Sequence, residues 1–420
     1  MKPTYKMLFS RGCTSFPYFW AIFFSFAFFI RVGIVFSPLA VTTLNGDEKA
    51  YVTGANAILN AGEYKTDAFY AFRPPAFSIM LATMKSVGAG KIQYVHILNA
   101  LVSFMTLLFF FFLLRQLNLS QTSFRFAMIL FAIYPASLGE IIWLTPDIIY
   151  IALMTAQAYY LMNGKFITAG CIAGIMTWFR PEALALYFFV VAVRILWHPQ
   201  NFQKIALSSL MALAIISPWL IRNTVVIGRP YLSTNFALNF WLGNAPQSTG
   251  TSAFAASNLS ESEIHAGIQL ATNALRNGGE QAFVETLMKL SLDHISAEPL
   301  DFLSKIPKKL FFLWKPETDY YPWAIDAGRM PDLGAGFRTS LDFAIVTFWA
   351  LMMFFAAIGF FVKAEATFYC RNAVIGLSLM VMPLVGESRY HLFVQPFLLT
   401  LSAIGIEKTM DRLRSLPIRM

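Results

Sequence analysis

Long runs of apolar residues alternate with short polar segments along most of the 420-residue chain. Runs such as 16–36 and 92–114 match the ~20 residues that an α-helix needs to cross the ~30 Å hydrocarbon core of a bilayer. The pattern therefore predicts an all-α polytopic membrane protein with about ten transmembrane helices. The predicted spans are 16–36, 92–114, 122–140, 144–162, 165–178, 181–197, 204–221, 340–362, 372–386 and 389–406.

Two interruptions of this pattern bear on the topology. Arg180 and Pro181 divide one long apolar stretch, and a turn is predicted there because the residue before a proline disfavours helix. A single bent helix is the alternative. The apolar segment 74–87, between a diproline and a Gly-Ala-Gly sequence, is too short to span comfortably. We therefore expect it to form an interfacial helix on the outer side.

Basic and acidic residues favour opposite ends of the predicted spans. Lysine and arginine near span ends stay mainly in the cytoplasm, so the N-terminus, which carries Lys2, Lys6 and Arg11, is predicted to be cytoplasmic. On this topology the C-terminus is cytoplasmic too, and nearly all acidic residues lie outside. The compact size favours a bacterial inner membrane, with the functional side facing the periplasm or the cell exterior.

The composition excludes several classes of protein. With 57% hydrophobic and 13% charged residues, the chain is unlike an ordinary soluble domain. The net charge of +9 does not indicate a nucleic-acid partner, because the basic residues lie at helix ends and form no single patch. Three widely spaced cysteines and five unpaired histidines predict neither a disulfide framework nor a metal site.

The polar segments divide the chain into three parts. Residues 1–222 form an N-terminal transmembrane module, whose first outer loop, 37–91, carries the strongest candidate residues. Residues 223–339 predict a small, mainly helical outer domain, in which a glycine pair ending at Gly279 should end one helix. Residues 340–420 contain the C-terminal transmembrane helices and a basic cytoplasmic tail.

The first outer loop begins with two acids, Asp47 and Glu48, and ends with a base, Arg73. A carboxylate just above the bilayer can accept a proton from an acceptor hydroxyl. An arginine beside a rigid diproline can hold a phosphate through charge-assisted hydrogen bonds. The alternative is that the loop is simply polar and that the interface tolerates an arginine.

Charged residues also mark later outer turns. Asp147 opens an outer-facing helix, where the helix dipole stabilises a carboxylate by about 0.3–1 kcal/mol whether or not it lines a site. Arg180 and Glu182 lie at a break in the membrane, where ionisable residues usually face the interior, although they could merely pair with each other. Arg389 and Tyr390 mark another outer end, and snorkelling of Arg389 is the competing explanation.

The order of these residues resembles one family. The chain has an acid pair after the first span, a later Arg-Pro-Pro, an Asp at the next outer turn, an Arg-Pro-Glu break and a late Glu-x-Arg-Tyr. This order is similar to that of the polytopic glycosyltransferases of the GT-C fold, above all the branch of protein O-mannosyltransferases and lipid A aminoarabinose transferases. The resemblance covers nearly the whole chain and is most specific from "GDEKAY" to "RPPAF".

The resemblance implies a function and a set of roles. In that family a sugar carried by a polyprenyl phosphate passes to an acceptor on the outer face, usually with inversion; the acceptor is a glycolipid, a cell-surface polymer or a protein. By match, Asp47 is the general base, Glu48 completes the acid pair, and Arg73 contacts the donor phosphate. Asp147 corresponds to the second acid of the family. Further candidates for contacts to the phosphate or the sugar are Arg180, Glu182, Asn244, Arg389 and Tyr390.

Cofactor requirements follow from the same comparison. A lipid-phosphate donor already carries an activated leaving group, so no cofactor is required. Some lipid A modifying relatives have a metal-binding acid directly before the basic residue, where this chain has Phe72. No metal site is predicted, and dependence on a divalent metal is left open.

Two other functions compete with this interpretation. In a polytopic transporter or lipid flippase the same charges would line a translocation path, near mid-membrane and open to both sides. Here they gather at one face. A polysaccharide polymerase or ligase would also face outward and use lipid carriers, but it would lack the acid pair after the first span.

Overall fold

The computed structural model describes residues 17–40, 43–44, 46–251, 263–326 and 328–415. Within these ranges the chain is helical and contains no strand, which confirms the predicted all-α class. The helices are α1 Pro17–Val35, α2 Gly46–Ala61, α3 Ala76–Ser86, α4 Ile92–Leu114, α5 Gln121–Ile133, α6 Pro135–Gly139, α7 Asp147–Met162, α8 Phe166–Thr177, α9 Glu182–Trp197, α10 Phe202–Ile227, α11 Asn235–Asn244, α12 Glu263–Ala297, α13 Pro299–Trp314, α14 Tyr320–Asp326, α15 Ala335–Phe360, α16 Glu365–Val381 and α17 Gln395–Ser415. Short 3₁₀ turns cover Glu140–Ile142, Pro199–Asn201 and Ser388–Val394.

Several helices are long and apolar enough to make the chain an integral membrane protein. In the described ranges four pass this test: Tyr18–Val35, Ile92–Leu114, Pro199–Ile227 and Ala335–Phe360. A fifth crossing results if α5 and Pro135–Ile142, which meet at a 40° bend, form one span. Helices also occupy the other predicted spans, but the total of about ten crossings stays a prediction. So do both cytoplasmic termini, since Lys2, Lys6 and Arg11 lie outside the described residues.

The two predicted helix breaks are confirmed. Helix α8 ends at Thr177 and α9 begins at Glu182, so Arg180 and Pro181 lie in a turn rather than within one bent helix. Gly279 interrupts α12 with a φ of 75° and a ψ of −171°, a conformation that only glycine adopts easily.

The described residues of the predicted first outer loop include two packed helices. The predicted segment 74–87 contains α3, Ala76–Ser86, and α3 packs on α2 through Tyr51 and Phe77, whose rings meet edge to face at 5.0 Å. The hydroxyl of Ser78 donates a hydrogen bond to the Tyr51 carbonyl at 2.9 Å. The loop is therefore an ordered platform that can hold side chains in fixed positions, while its depth in a membrane interface stays a prediction.

Close helix packing fixes the C-terminal part of the chain. Helices α15 and α17 cross where Gly359 faces the carbonyl of Leu401 and Gly405 faces that of Phe355. A Cβ at either glycine would lie 2.0 Å from the opposite carbonyl oxygen, so only glycine permits this approach. The contact anchors α17, and α17 continues directly from the 3₁₀ turn Ser388–Val394.

The described part of segment 223–339 packs against the end of the predicted first outer loop. Trp241 and Phe283 lie in a buried apolar cluster that also contacts Phe69, Phe72 and Val385. This segment therefore lies beside both the end of the first loop and the chain that leads into the 3₁₀ turn.

Candidate active site

The acid pair opens α2. Gly46 has a φ of 49°, which turns the chain so that Asp47 and Glu48 both lie in the first helical turn. The positive end of the helix dipole stabilises carboxylates there. The two acids differ in access, because the Asp47 side chain is 29% exposed and that of Glu48 is 2% exposed. Only Asp47 of this pair can be reached by a substrate.

Asp47 contacts the base that ends the same loop. A terminal nitrogen of Arg73 donates a hydrogen bond to Oδ1 of Asp47, and a terminal nitrogen of Arg389 lies 3.8 Å from Oδ2. The Tyr64 hydroxyl donates to the Arg73 carbonyl at 2.9 Å and helps fix the backbone there. Two guanidinium groups therefore converge on one accessible carboxylate.

The charges around Asp47 set its ionisation. Burial by itself raises the pKa of Asp47, but Arg73, Arg389, Arg180 and Arg329 lower it, and the net effect is a pKa below 3.8. Asp47 is therefore an anion at neutral pH, held by cations that would also attract a phosphate.

A second ion-pair group surrounds Asp147. Its Oδ1 accepts hydrogen bonds from Arg180, one of them from Nε at 2.7 Å, and Arg180 also donates to Glu182 at 3.0 Å. Asp147 is 1% exposed, and its buried Oδ2 has no hydrogen-bond partner in the described structure. The Arg180 guanidinium lies 4.4 Å from the centre of the Phe393 ring, which connects this group to the 3₁₀ turn.

The late Glu-x-Arg-Tyr motif lies at the start of the 3₁₀ turn Ser388–Val394. Arg389 lies 3.7 Å from Glu387 and 5.7 Å from the centre of the Tyr390 ring. Burial raises the pKa of the Glu387 carboxyl, although Arg389 opposes the shift. The structure thus places Tyr390 at the edge of the site and Arg389 inside it.

Seven side chains form what we call the arginine–carboxylate cluster. Arg180 and Arg389 both act on Asp47 electrostatically, so the two ion-pair groups are parts of one site. The cluster consists of Asp47, Arg73, Asp147, Arg180, Glu182, Glu387 and Arg389.

Glu48 has a different environment from its neighbour. Its Oε1 accepts a hydrogen bond from the backbone amide of Leu144 at 3.1 Å, and its Oε2 accepts one from Arg329. Arg329, which is buried, also stacks 4.4 Å from the centre of the Trp143 ring. Glu48 thus joins α2 to the chain before Asp147 and to the outer segment. Sequence reasoning missed Arg329, which lies in a loop without a motif.

Asn244 contacts none of the cluster side chains. Its amide nitrogen donates to the carbonyls of Phe240 and Pro383, both at 2.7 Å, and its oxygen accepts from Lys309 at 2.7 Å. The adjacent Gly243 faces the Leu384 carbonyl so closely that a Cβ would lie 1.9 Å from its oxygen. Gly243 and Asn244 thus hold the chain that leads to Glu387 and Arg389 in place. Burial lowers the pKa of Lys309, which binds Asn244, to about 8.

The side chain directly before Arg73 is not a metal ligand. The Phe72 ring packs on that of Phe69, with centroids 4.8 Å apart, and offers no ligand atom beside Arg73. In the described residues no group of three or more His, Cys, Asp or Glu side chains is arranged to hold a metal ion.

Among comparisons with known proteins, only the comparison with solved structures gives matches. No family model matches the chain, and no curated protein does. Several solved structures are similar, two of them of the same protein. Both are crystal structures of ArnT from Cupriavidus metallidurans, one in the apo state and one bound to undecaprenyl phosphate. The first is 12% identical with a TM-score of 0.43 and covers 93% of this chain and 78% of that chain. The second is 12% identical with a TM-score of 0.42 and covers 96% and 81%. ArnT is a lipid A aminoarabinose transferase of the GT-C fold.

Proposed function

We propose that this protein is a membrane glycosyltransferase that moves a sugar from a polyprenyl-phosphate donor to an acceptor on the outer face of the membrane. One observation carries the proposal: the accessible carboxylate of Asp47 lies between the guanidinium groups of Arg73 and Arg389, beside apolar helices. Such a reaction needs a cation for the phosphate and a carboxylate near the acceptor oxygen.

The transfer is a single displacement with inversion. The donor phosphate binds Arg73 and Arg389 through charge-assisted hydrogen bonds. The acceptor hydroxyl oxygen attacks the anomeric carbon while Asp47 takes the hydroxyl proton. The bond between the anomeric carbon and the phosphate oxygen breaks, and its electron pair leaves with the polyprenyl phosphate. The arginines stabilise the charge that develops on this leaving group.

The other cluster residues support these two groups. Asp147 and Glu182 neutralise Arg180 and hold it against Phe393, at a position where it contacts the sugar or the phosphate. Asn244 keeps the chain before Glu387 in place. The reaction needs no cofactor, and the site faces the periplasm or the cell exterior of a bacterial inner membrane. The acceptor is a glycolipid, a cell-surface polymer or a protein.

Deleting the gene should remove one sugar from one envelope product. We expect mass spectrometry of membrane glycolipids and surface polymers to detect a product lighter by one sugar, restored by the wild-type gene and not by Asp47→Asn. If the deletion strain instead accumulated an untransported lipid on the inner leaflet, with every glycan intact, the flippase interpretation would replace this proposal.

Arg73→Ala should weaken binding of undecaprenyl phosphate by about 10- to 100-fold, because a hydrogen bond to a charged group contributes about 1.5–3 kcal/mol. Binding is measured with purified protein in detergent. Arg276→Ala, at an exposed arginine of α12, is the matched control and should bind like the wild type. Equal affinity of the Arg73→Ala protein and the wild type would show that Arg73 does not hold the phosphate.

A further inference from the structure

The backbone that leads into Arg73 is held by side chains from distant parts of the chain. The amide of Ala71 donates to both carboxylate oxygens of Glu280 at 3.1 Å, and the amide of Tyr70 donates to Oε2. The carbonyl of Phe72 accepts a hydrogen bond from the Ser233 hydroxyl at 2.6 Å. Residues 70–72 therefore take their position from the outer segment.

The position of Glu280 is fixed by the bend in α12 and by its hydrogen bonds. It directly follows Gly279, whose φ of 75° bends α12 and begins the second helical half there. The Thr234 hydroxyl donates to Glu280 as well, and the amide of Thr234 donates to the Ala71 carbonyl at 2.8 Å. Glu280 is 4% exposed, and a buried carboxylate is costly unless several donors satisfy it.

The side chain of Arg222 also binds this stretch of backbone, through its carbonyl groups. Arg222, near the end of α10, donates to the carbonyl of Tyr70 at 2.6 Å and to that of Tyr64 at 2.7 Å. Glu280 thus binds the amides of this loop and Arg222 binds its carbonyls. Pro74 follows Arg73 and restricts the backbone on the far side. A shift at residues 70–72 is therefore passed on to Arg73.

We infer that Glu280 is a positioning residue for the donor phosphate, acting through the backbone of residues 70–72 to place the Arg73 guanidinium beside Asp47. The inference rests on the proposed function, since it assumes that Arg73 binds the phosphate. Glu280 lies more than two hundred residues from Arg73 in the sequence and touches neither substrate. Its effect should therefore depend on Arg73 being present.

The test uses full-length purified protein and undecaprenyl phosphate as the probe. Glu280→Gln keeps the size of the side chain but sets an amide nitrogen against the backbone donors. We expect affinity to fall roughly tenfold, within the range that coupled neighbouring residues display. Glu280→Asp keeps a carboxylate, so its affinity should lie between that of Glu280→Gln and that of the wild type. The matched control is Glu285→Gln, at an exposed acid of the same helix that bonds only to Gln281 at 2.7 Å among the described contacts.

A double-mutant cycle separates positioning from general stability. In the Arg73→Ala background, Glu280→Gln should cause no further loss of affinity, and in transfer assays Glu280→Gln should raise the donor KM while leaving the acceptor KM unchanged. An equal loss in both backgrounds would overturn the inference, as would unaltered affinity of folded Glu280→Gln protein. Unaltered affinity of Arg73→Ala alone would refute the phosphate site itself, and the inference with it.

Discussion

Asp47→Asn should lower sugar transfer by about 10²- to 10⁴-fold, the range that a positioned general base contributes, and yet bind undecaprenyl phosphate more tightly than the wild type. The reason is competition. In the free protein the Asp47 carboxylate occupies Arg73 and lies 3.8 Å from Arg389, the two cations proposed for the donor phosphate. Removing this anion frees them while it removes the base.

The lowered pKa of Asp47 determines the pH range in which its carboxylate competes with the phosphate for Arg73. A carboxyl with a lowered folded pKa favours the folded state above its unfolded pKa, and this contribution is lost only as pH falls through the folded value. Since the pKa of Asp47 is lowered, its carboxylate stays ionised and paired with Arg73 at neutral pH. The gain in affinity of Asp47→Asn should therefore be constant from about pH 7 to 8, where the phosphate of the probe, with a second pKa of about 6, is mainly a dianion.

The control for Asp47 lies in the same loop. Asp67 is exposed, and Asp67→Asn should change neither transfer nor affinity. If Asp47→Asn kept full transfer, Asp47 would not be the base. If it bound undecaprenyl phosphate more weakly than the wild type, Asp47 would assist the phosphate rather than compete with it.

Patterns in the sequence predict the helices and their breaks, because these features depend on residues close together in the chain. Apolar runs locate the helices, and Pro181 and Gly279 mark real breaks because proline restricts the backbone and glycine permits a positive φ. The meeting of Asp47 with Arg73 was also predictable, since both lie in one loop between two predicted spans. The resemblance to a known family added Arg389, but through a motif rather than through any local pattern.

The count of crossings is harder to predict because several helices are short. Helix α8 has 12 residues and is about 18 Å long at 1.5 Å per residue, less than the ~30 Å core of a bilayer. A helix of this length spans only if its neighbours bury its ends, and composition carries no information about neighbours.

Contacts between distant residues escaped prediction for a related reason. Glu280 and Arg329 are single charged residues in a polar segment, where most charges are solvated and no period or motif distinguishes them. Asn244 was recognised by motif, but its side chain binds Lys309 and backbone carbonyls instead of the cluster. Which way a side chain points depends on packing with Pro383 and Lys309, far along the chain.

Glu48→Gln and Arg329→Met should each lower the free energy of unfolding, by up to about 3–5 kcal/mol, because each removes one charge of a buried ion pair. The pair is 2% and 3% exposed, and Glu48 also accepts the Leu144 amide. Unfolding in mixed detergent micelles measures the loss. The double variant should be less destabilised than the sum of the two single variants, since it removes both charges of the pair.

Lys49→Gln is the control, since Lys49 is exposed and next to Glu48 on α2. Because Glu48 braces α2 against the chain before Asp147, folded Glu48→Gln protein should still bind undecaprenyl phosphate and transfer the sugar, whereas folded Asp47→Asn protein should not transfer it. A Glu48→Gln protein as stable as the wild type but inactive would reverse this assignment and make Glu48 the catalytic acid of the pair. The two neighbours are chemically alike, and only their exposure and partners, Arg73 for one and Arg329 for the other, give them different roles.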